Sequence, residues 1–287
     1  MKRGIWLLFF PVMMMLSSAA CSGGAKTPTT SPLEGRPTVE VTAPASPSIE
    51  TPKPAASIGS LPTQTLPPFT ESGGDYGVNL TPADFVDMVD NPYFPLPPGT
   101  KWEFEIREGN GSKQTDTLEV LKDKRDVNGV QATVVRDTVS SGDQIVEDTF
   151  DWFAQDKYGN VWYVGESVDN YVGGVLVGHA GSWEWGVDGA LPGIIMWADP
   201  SAHIDEEYHQ EYYVGKAEDM GSVLSVDESL SVPFGSFERV VKTLDFSHLE
   251  TNAQEQKFYA PGIGLIEELD VNTNEEMVLT KMTPPVK

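Results

Sequence analysis

The stretch KWEFEIREGNG, residues 101–111, decides the fold. Trp102, Phe104 and Ile106 alternate with Glu103, Glu105 and Arg107, and Gly109-Asn110-Gly111 then supplies a turn. A period of two puts apolar side chains on one face of a strand and charged ones on the other, as in an antiparallel sheet with one wet side. The pattern recurs downstream. Leu118-Val120 continues it, and Asn128-Gly129 is a strong hairpin signal. Strands are predicted at 130–140, 145–155 and 161–164, with another hairpin at Gly173-Gly174 and Trp183-Trp185 ending that meander. Further strands read as 208–214, 223–232, 237–246, 255–259, 265–271 and 277–282. About a dozen consecutive strands predict an all-β domain built on a strongly curved antiparallel sheet, either a half-barrel or a closed barrel.

Two segments depart from this pattern. Thr81-Pro82-Ala83-Asp84 places a cap, a proline at the first helical position and an acid in the first turn. It predicts a short N-terminal helix through Val89, stopped by Asn91-Pro92. Residues 189–205 show no strand period and read as a loop with a helical turn. Within them the apolar, glycine-bounded run 189–197 is expected to cover the open face as a lid or plug. No period of 20–50 residues repeats, which argues against a propeller or solenoid.

The N-terminus gives an address. Met1-Lys2-Arg3 precedes an apolar run from Ile5 to Leu16, then Ser17-Ser18-Ala19-Ala20 and Cys21, the only cysteine. Basic, apolar and small residues in that order form an export signal over 1–20. The apolar run is shorter than the roughly 20 residues a spanning helix needs. The segment resembles the bacterial lipoprotein signal, with Ser18 standing where that signal usually has leucine. The resemblance implies acylation of Cys21, palmitate included, and membrane attachment on the extracytoplasmic face. Cleavage after Ala20 without acylation is the alternative. A lone thiol in an oxidising compartment has no other evident use. One acyl chain binds membranes only marginally, so stable anchoring implies the multiply acylated form.

Residues 21–74 read as a disordered linker. Behind Cys21 they hold ten prolines, sixteen serines or threonines and one aromatic, Phe69, too little apolar surface to offset the entropy of ordering. Such a spacer reaches roughly 40 Å as a coil and up to ~160 Å in polyproline II. The domain, 75–287, holds six of the seven tryptophans and enough chain for one core. It also carries the charge, 39 of the 43 acidic residues against 14 Lys and Arg. That excess excludes nucleic acid as a partner and disfavours anionic lipid surfaces, leaving a cationic or an apolar ligand.

Several constellations are candidates for chemistry. His203, Asp205, Glu207, His209 and Glu211 would share one face of a strand, a mixed imidazole and carboxylate set suited to Zn²⁺. Glu147, Asp148, Asp151 and Asp156, with Asn160 and Glu166, offer the oxygens that Ca²⁺ prefers, though without the spacing of a Ca²⁺ loop. A divalent cation, Ca²⁺ or Zn²⁺, is thus the only cofactor indicated. Arg136 on the preceding strand is expected to pair with one of these acids. Trp152, Trp162, Trp183, Trp185 and Trp197 would either fill the core or line a concave cleft. The candidate ligand-binding residues are therefore Arg136, Glu147, Asp151, Glu166, Trp197 and Glu211. There is no Gly-x-Ser-x-Gly elbow, and the single cysteine is placed at the membrane end. Catalytic residues are not assigned. A carboxylate pair of the glycosidase type stays open in a chain so rich in acids.

The segments NPYFPLPPGT (91–100), EDTFDWFAQDKYGNVWYVGE (147–166), GVDGALPGIIM (186–196), QEYYVGKAED (210–219), VPFGSFERVVKT (232–243) and FYAPGIGLIEE (258–268) resemble an uncharacterised family of secreted bacterial proteins and lipoproteins. The last two are also similar, more loosely, to curved-sheet envelope proteins, half-barrels whose hairpins end in a Tyr/Trp-x-Pro-Gly-x-Gly-Leu turn. The resemblance implies a carrier or scaffold fold and transfers no activity. The expectation is a membrane-anchored surface lipoprotein with a binding or scaffolding β-domain. The alternative is a carboxylate-based or metal-assisted hydrolase.

Overall fold

The computed structural model describes residues 76–108, 111–250 and 252–285. The export signal, Cys21 and the linker lie outside the described residues. Most of the described residues lie in strands. After a 3-10 turn at Pro82–Asp84 come β1 (Phe85–Val86), β2 (Lys101–Arg107), β3 (Lys113–Val127), β4 (Val130–Ser141), β5 (Gln144–Asp156) and β6 (Val161–Val172). Then follow β7 (Val175–Gly178), β8 (Trp183–Glu184), β9 (Leu191–Met196), β10 (Glu207–His209) and β11 (Glu211–Tyr212). The chain ends with β12 (Asp219–Val232), β13 (Gly235–Ser247), β14 (Gln254–Ala260), β15 (Gly264–Asp270) and β16 (Glu276–Thr283).

These strands form one antiparallel sheet in the order β10-β12-β13-β14-β15-β16-β2-β3-β4-β5-β6-β9-β11. The two ends of that path, β10 and β11, are neighbours in the chain and flank Gln210. Residues 207–209 pair with β12 and residues 211–212 with β9, so one stretch of chain brings both edges together. The sheet is a nearly closed barrel, which leaves little free edge to aggregate. Closure depends on a close approach at Gly193. A Cβ there would lie 2.3 Å from the Gln210 carbonyl carbon and 2.4 Å from the His209 oxygen. Only glycine lets the closing stretch cross β9.

Along β5 and β14 the interior passes from an apolar level to an acidic one, and the two meet where Phe104 of β2 pairs with Asp116 of β3. Beginning at one end, inward residues run Gln155, Phe153, Asp151, Thr149, Glu147 along β5 and Tyr259, Lys257, Glu255 along β14. The first level is aromatic and aliphatic. Phe104, Tyr163, Val241, Ile266 and Leu279 are 2% exposed or less, and burying each such side chain contributes about 1.5–3 kcal/mol. Residues 90–96 cross this end. The Gln155 side-chain oxygen accepts the Asp90 and Asn91 N–H groups, the Pro92 carbonyl accepts from Gly262 N, and the Phe94 ring meets Phe153 at 5.1 Å and Tyr259 at 6.2 Å. NPYFPL therefore plugs the barrel at the aromatic level.

Most expected strands are present within a few residues, and both expected hairpins form. Asn128-Gly129 joins β3 to β4 with positive φ at both residues, and Gly173-Gly174 joins β6 to β7. Two expectations are corrected. The N-terminal helix is only the 3-10 turn, because Phe85 and Val86 pair instead with Asp156 and Gln155 of β5. The 189–197 segment is neither lid nor plug. Its residues 191–196 are β9, a wall strand between β6 and β11, and the turn expected after it is the 3-10 turn Pro200–His203.

Gly193→Ala should lower stability by about 1–3 kcal/mol through overpacking at the closure. Gly178→Ala, whose Cβ would meet nothing within 4 Å, should change it little. Urea unfolding of both variants checks this, and equal midpoints would contradict the closure as described.

Candidate functional site

Above the aromatic level the interior is lined by acids. Register sets them side by side. Asp116 lies opposite Val139, Val139 opposite Glu147, Val135 opposite Asp151, and Asp151 opposite Glu166, which in turn faces Trp183 of β8. Around the barrel, Glu268 lies opposite Lys257, and Glu255 opposite Asp245. Asp137, Asp219 and Glu211 complete the lining, and Glu211 and Asp116 are fully buried. Lys257 is the only basic side chain among the buried described residues. Its ammonium nitrogen stands 3.0 Å from Asp245, 3.7 Å from Glu268 and 3.8 Å from Glu255.

One ammonium cannot neutralise this many carboxylates. Holding a proton on an ordinary carboxyl at pH 7 costs about 4 kcal/mol. Leaving a carboxylate buried, ionised and unpaired costs more than that. The proton is therefore retained. Burial pushes Asp116 up to about 8 and Glu147, Asp151 and Glu268 up to about 7. Burial, reinforced by like-charged neighbours, raises Asp137, Glu166, Glu211 and Glu255 well above the carboxylate range. Lys257 moves upward despite its burial because the surrounding acids hold its charge. The polar lining stays undersupplied with donors. Among the described residues no donor completes a hydrogen bond to either oxygen of Asp116 or Glu211, to Oδ2 of Asp151 or to Oε1 of Glu166, and the groups standing beside Asp116 are the Asp137 carboxyl and the Thr117 N–H. The Tyr163 hydroxyl donates to Asp151 Oδ1 at 2.7 Å. The Trp183 N–H is the side-chain donor that faces Glu211.

The structure gathers part of the sequence-derived set and scatters the rest. Glu147, Asp151, Glu166 and Glu211 share the interior. Asp148 and Asp156, grouped with them as Ca²⁺ ligands, lie on the opposite face of β5. Asp148 takes the expected cross-strand partner, a two-pronged pair with Arg136 at 2.7 and 2.8 Å on the outer surface. Asp156 caps the β5–β6 turn by accepting from Tyr158 N, Asn160 N, the Asn160 amide and the Trp162 indole. Trp197 stacks on His203 at 3.8 Å.

The single strand face expected for His203, Asp205, Glu207, His209 and Glu211 does not form. His203 ends a 3-10 turn and contacts Glu206 at 2.8 Å, Asp205 turns the chain with φ 62, and the strand resumes only at Glu207. His209 packs between Tyr76 and Tyr212. Among the described residues no three His, Cys, Asp or Glu side chains converge on a point that could hold a metal ion. Asp116, Asp137, Asp219, Asp245, Glu255, Lys257 and Glu268 were not singled out by sequence. Their signal was present: each falls in phase with the buried residues of its strand.

The raised carboxyls fix the direction of pH dependence. Their folded values exceed the unfolded value near 4, so the folded state binds more protons. The stabilisation is complete below that value and is lost as pH rises through about 7 to 8. Melting temperature should therefore fall by several degrees between pH 5.5 and pH 8.5, and Asp116→Asn should flatten the fall. A chain more stable at pH 8.5 than at pH 5.5 would contradict the assignment.

No protein-family model matches the chain, and no curated protein does. Among solved structures it is similar to a Bacteroides fragilis NCTC 9343 protein described as exported and as having a YmcC-like fold. The identity is 13%, the TM-score 0.40, and the match covers 67% of this chain and 99% of that one. It is also similar to a Parabacteroides distasonis ATCC 8503 protein described as a lipoprotein, at 12% identity and TM-score 0.38, covering 69% of this chain and all of that one. At this level of similarity neither says what this chain binds.

Proposed function

We propose that the chain is an extracytoplasmic lipoprotein, held to the cell membrane through acylated Cys21 and set off from it by residues 21–74. Its β-barrel, residues 75–287, binds a ligand in the acid-lined interior and performs no catalysis. The anchor rests on the order of signal, cysteine, spacer and cysteine-free domain in the sequence. The binding role is carried by one observation, the fully buried Glu211 whose carboxylate oxygens accept no completed hydrogen bond among the described residues. A buried polar group left in that state is costly, and such groups persist where a site must remain ready for something else. The level above the aromatic plug is where a ligand would replace the missing donors.

Mass spectrometry of the mature protein should find a multiply acylated N-terminal Cys21, and Cys21→Ala should leave the membrane fraction. An unmodified N-terminus at Cys21 would overturn the anchor. The purified chain should not turn over model glycosides or esters. Turnover that disappears in Asp151→Asn would establish the hydrolase instead.

A further inference from the structure

The Lys257 site shows what this interior accommodates. It holds a primary ammonium on an aliphatic stem, enclosed by Asp245, Glu255 and Glu268 at 3.0–3.8 Å and 2% exposed. Across the barrel, Asp151, Glu166 and Glu211 form a second acidic group of similar make-up, with no lysine inside it among the described residues. We propose that the ligand is an organic ammonium ion, a primary amine or polyamine, seated among Asp151, Glu166 and Glu211 against the rings of Tyr163 and Trp183. This rests on the preceding proposal that the interior binds a ligand, and it names the ligand's chemistry.

Three observations converge on that class. The first is donor demand. Oδ2 of Asp151, Oε1 of Glu166 and both oxygens of Glu211 accept no completed hydrogen bond among the described residues, and an ammonium group brings three N–H donors and no acceptor. The second is the aromatic wall. Tyr163 and Trp183 meet edge to face at 5.4 Å, and Trp183 stands directly opposite Glu166 in the ladder. Carboxylates beside indole and phenol faces suit a desolvated cation. The third is elimination by chemistry. An anion gains no ion pair from carboxyls and is repelled by each one that ionises, an apolar group would leave the carboxyls unpaired, and the ligand atoms do not converge as a metal ion requires.

Binding would also move protons. The groups facing the site are Asp151 and Glu147 on β5, Tyr163 and Glu166 on β6, Trp183 on β8, Glu211 on β11 and Asp219 on β12, with Lys257 of β14 acting on Asp151 from a distance. As the ammonium enters, carboxyl O–H groups release protons to solvent and the resulting carboxylates pair with the N–H donors. Charge is conserved by exchange of one cation for another.

Isothermal titration of the full chain in detergent at pH 7 tests this, with cadaverine and spermidine as probes and two buffers of different ionisation enthalpy. The expected result is amine binding with net proton release, weakened by about tenfold or more in Glu211→Gln, a loss of at least about 1.4 kcal/mol. Retained circular dichroism and an unchanged or higher melting temperature of Glu211→Gln at pH 8 would show that the variant is folded. Amine binding without proton release, or undiminished in Glu211→Gln, would overturn the proposal. Binding of lauric acid or maltose in place of the amines would overturn the ammonium assignment and leave the binding domain standing. No heat with any of these probes would overturn both.

Discussion

Everything distinctive in the described residues follows from enclosing Lys257 and many carboxyls behind a nearly closed β wall. Hydrogen bonding within the ladder satisfies the backbone, so the wall itself is cheap to bury. The side chains it encloses are not. Asp245, Glu255 and Glu268 share Lys257, and every other interior acid must keep a proton, find a donor or meet a cation from outside. Burial beside like-charged neighbours, which raises Asp137, Glu166 and Glu211 well above the carboxylate range, expresses that constraint.

The barrel makes the constraint tolerable by separating two levels. The aromatic level, closed by Asn91, Pro92 and Phe94, supplies the packing free energy of an ordinary core. The acidic level above it supplies little and costs much. Closure by residues 207–212 ties the levels together, since the same short stretch carries Tyr208 into the interior and Glu211 into the acidic lining. Gly193 permits that stretch to pass close to β9. Functional lining and architectural closure thus share one segment.

Much of this fold was legible in the sequence, and for a simple reason. A period of two and the turns at Asn128-Gly129 and Gly173-Gly174 are local signals that the sheet obeys. The failures were nonlocal. Pro82 to Asp84 carries a helix start, but pairing of Phe85 with Asp156, far along the chain, decides otherwise. Residues 191–196 lack alternation because β9 is buried on both faces, at 0% for Ile194 and 5% for Ile195, so a wall strand resembles a plug. The true plug, at 90–96, lay where the sequence showed only a helix stop at Asn91-Pro92 and a segment of the family resemblance. Among site residues, Asp151, Glu166 and Glu211 drew attention as acids in clusters. Asp116, Asp137 and Lys257 did not, because none of them sits in a run of acids or a motif with metal-ligand or catalytic spacing. The informative pattern was a charge in phase with the core face, as with Asp137 between Val135 and Val139.

The central claim is that the interior carboxyls hold protons at neutral pH, and side-chain carbonyl ¹³C NMR of Asp- and Glu-labelled protein tests it most directly. Followed from about pH 3 to pH 9, the account predicts a group of carboxyls titrating near 7 to 8, separate from the surface acids near 4, that collapses into the surface group in urea. A folded protein whose carboxyls all titrate near 4 would contradict it.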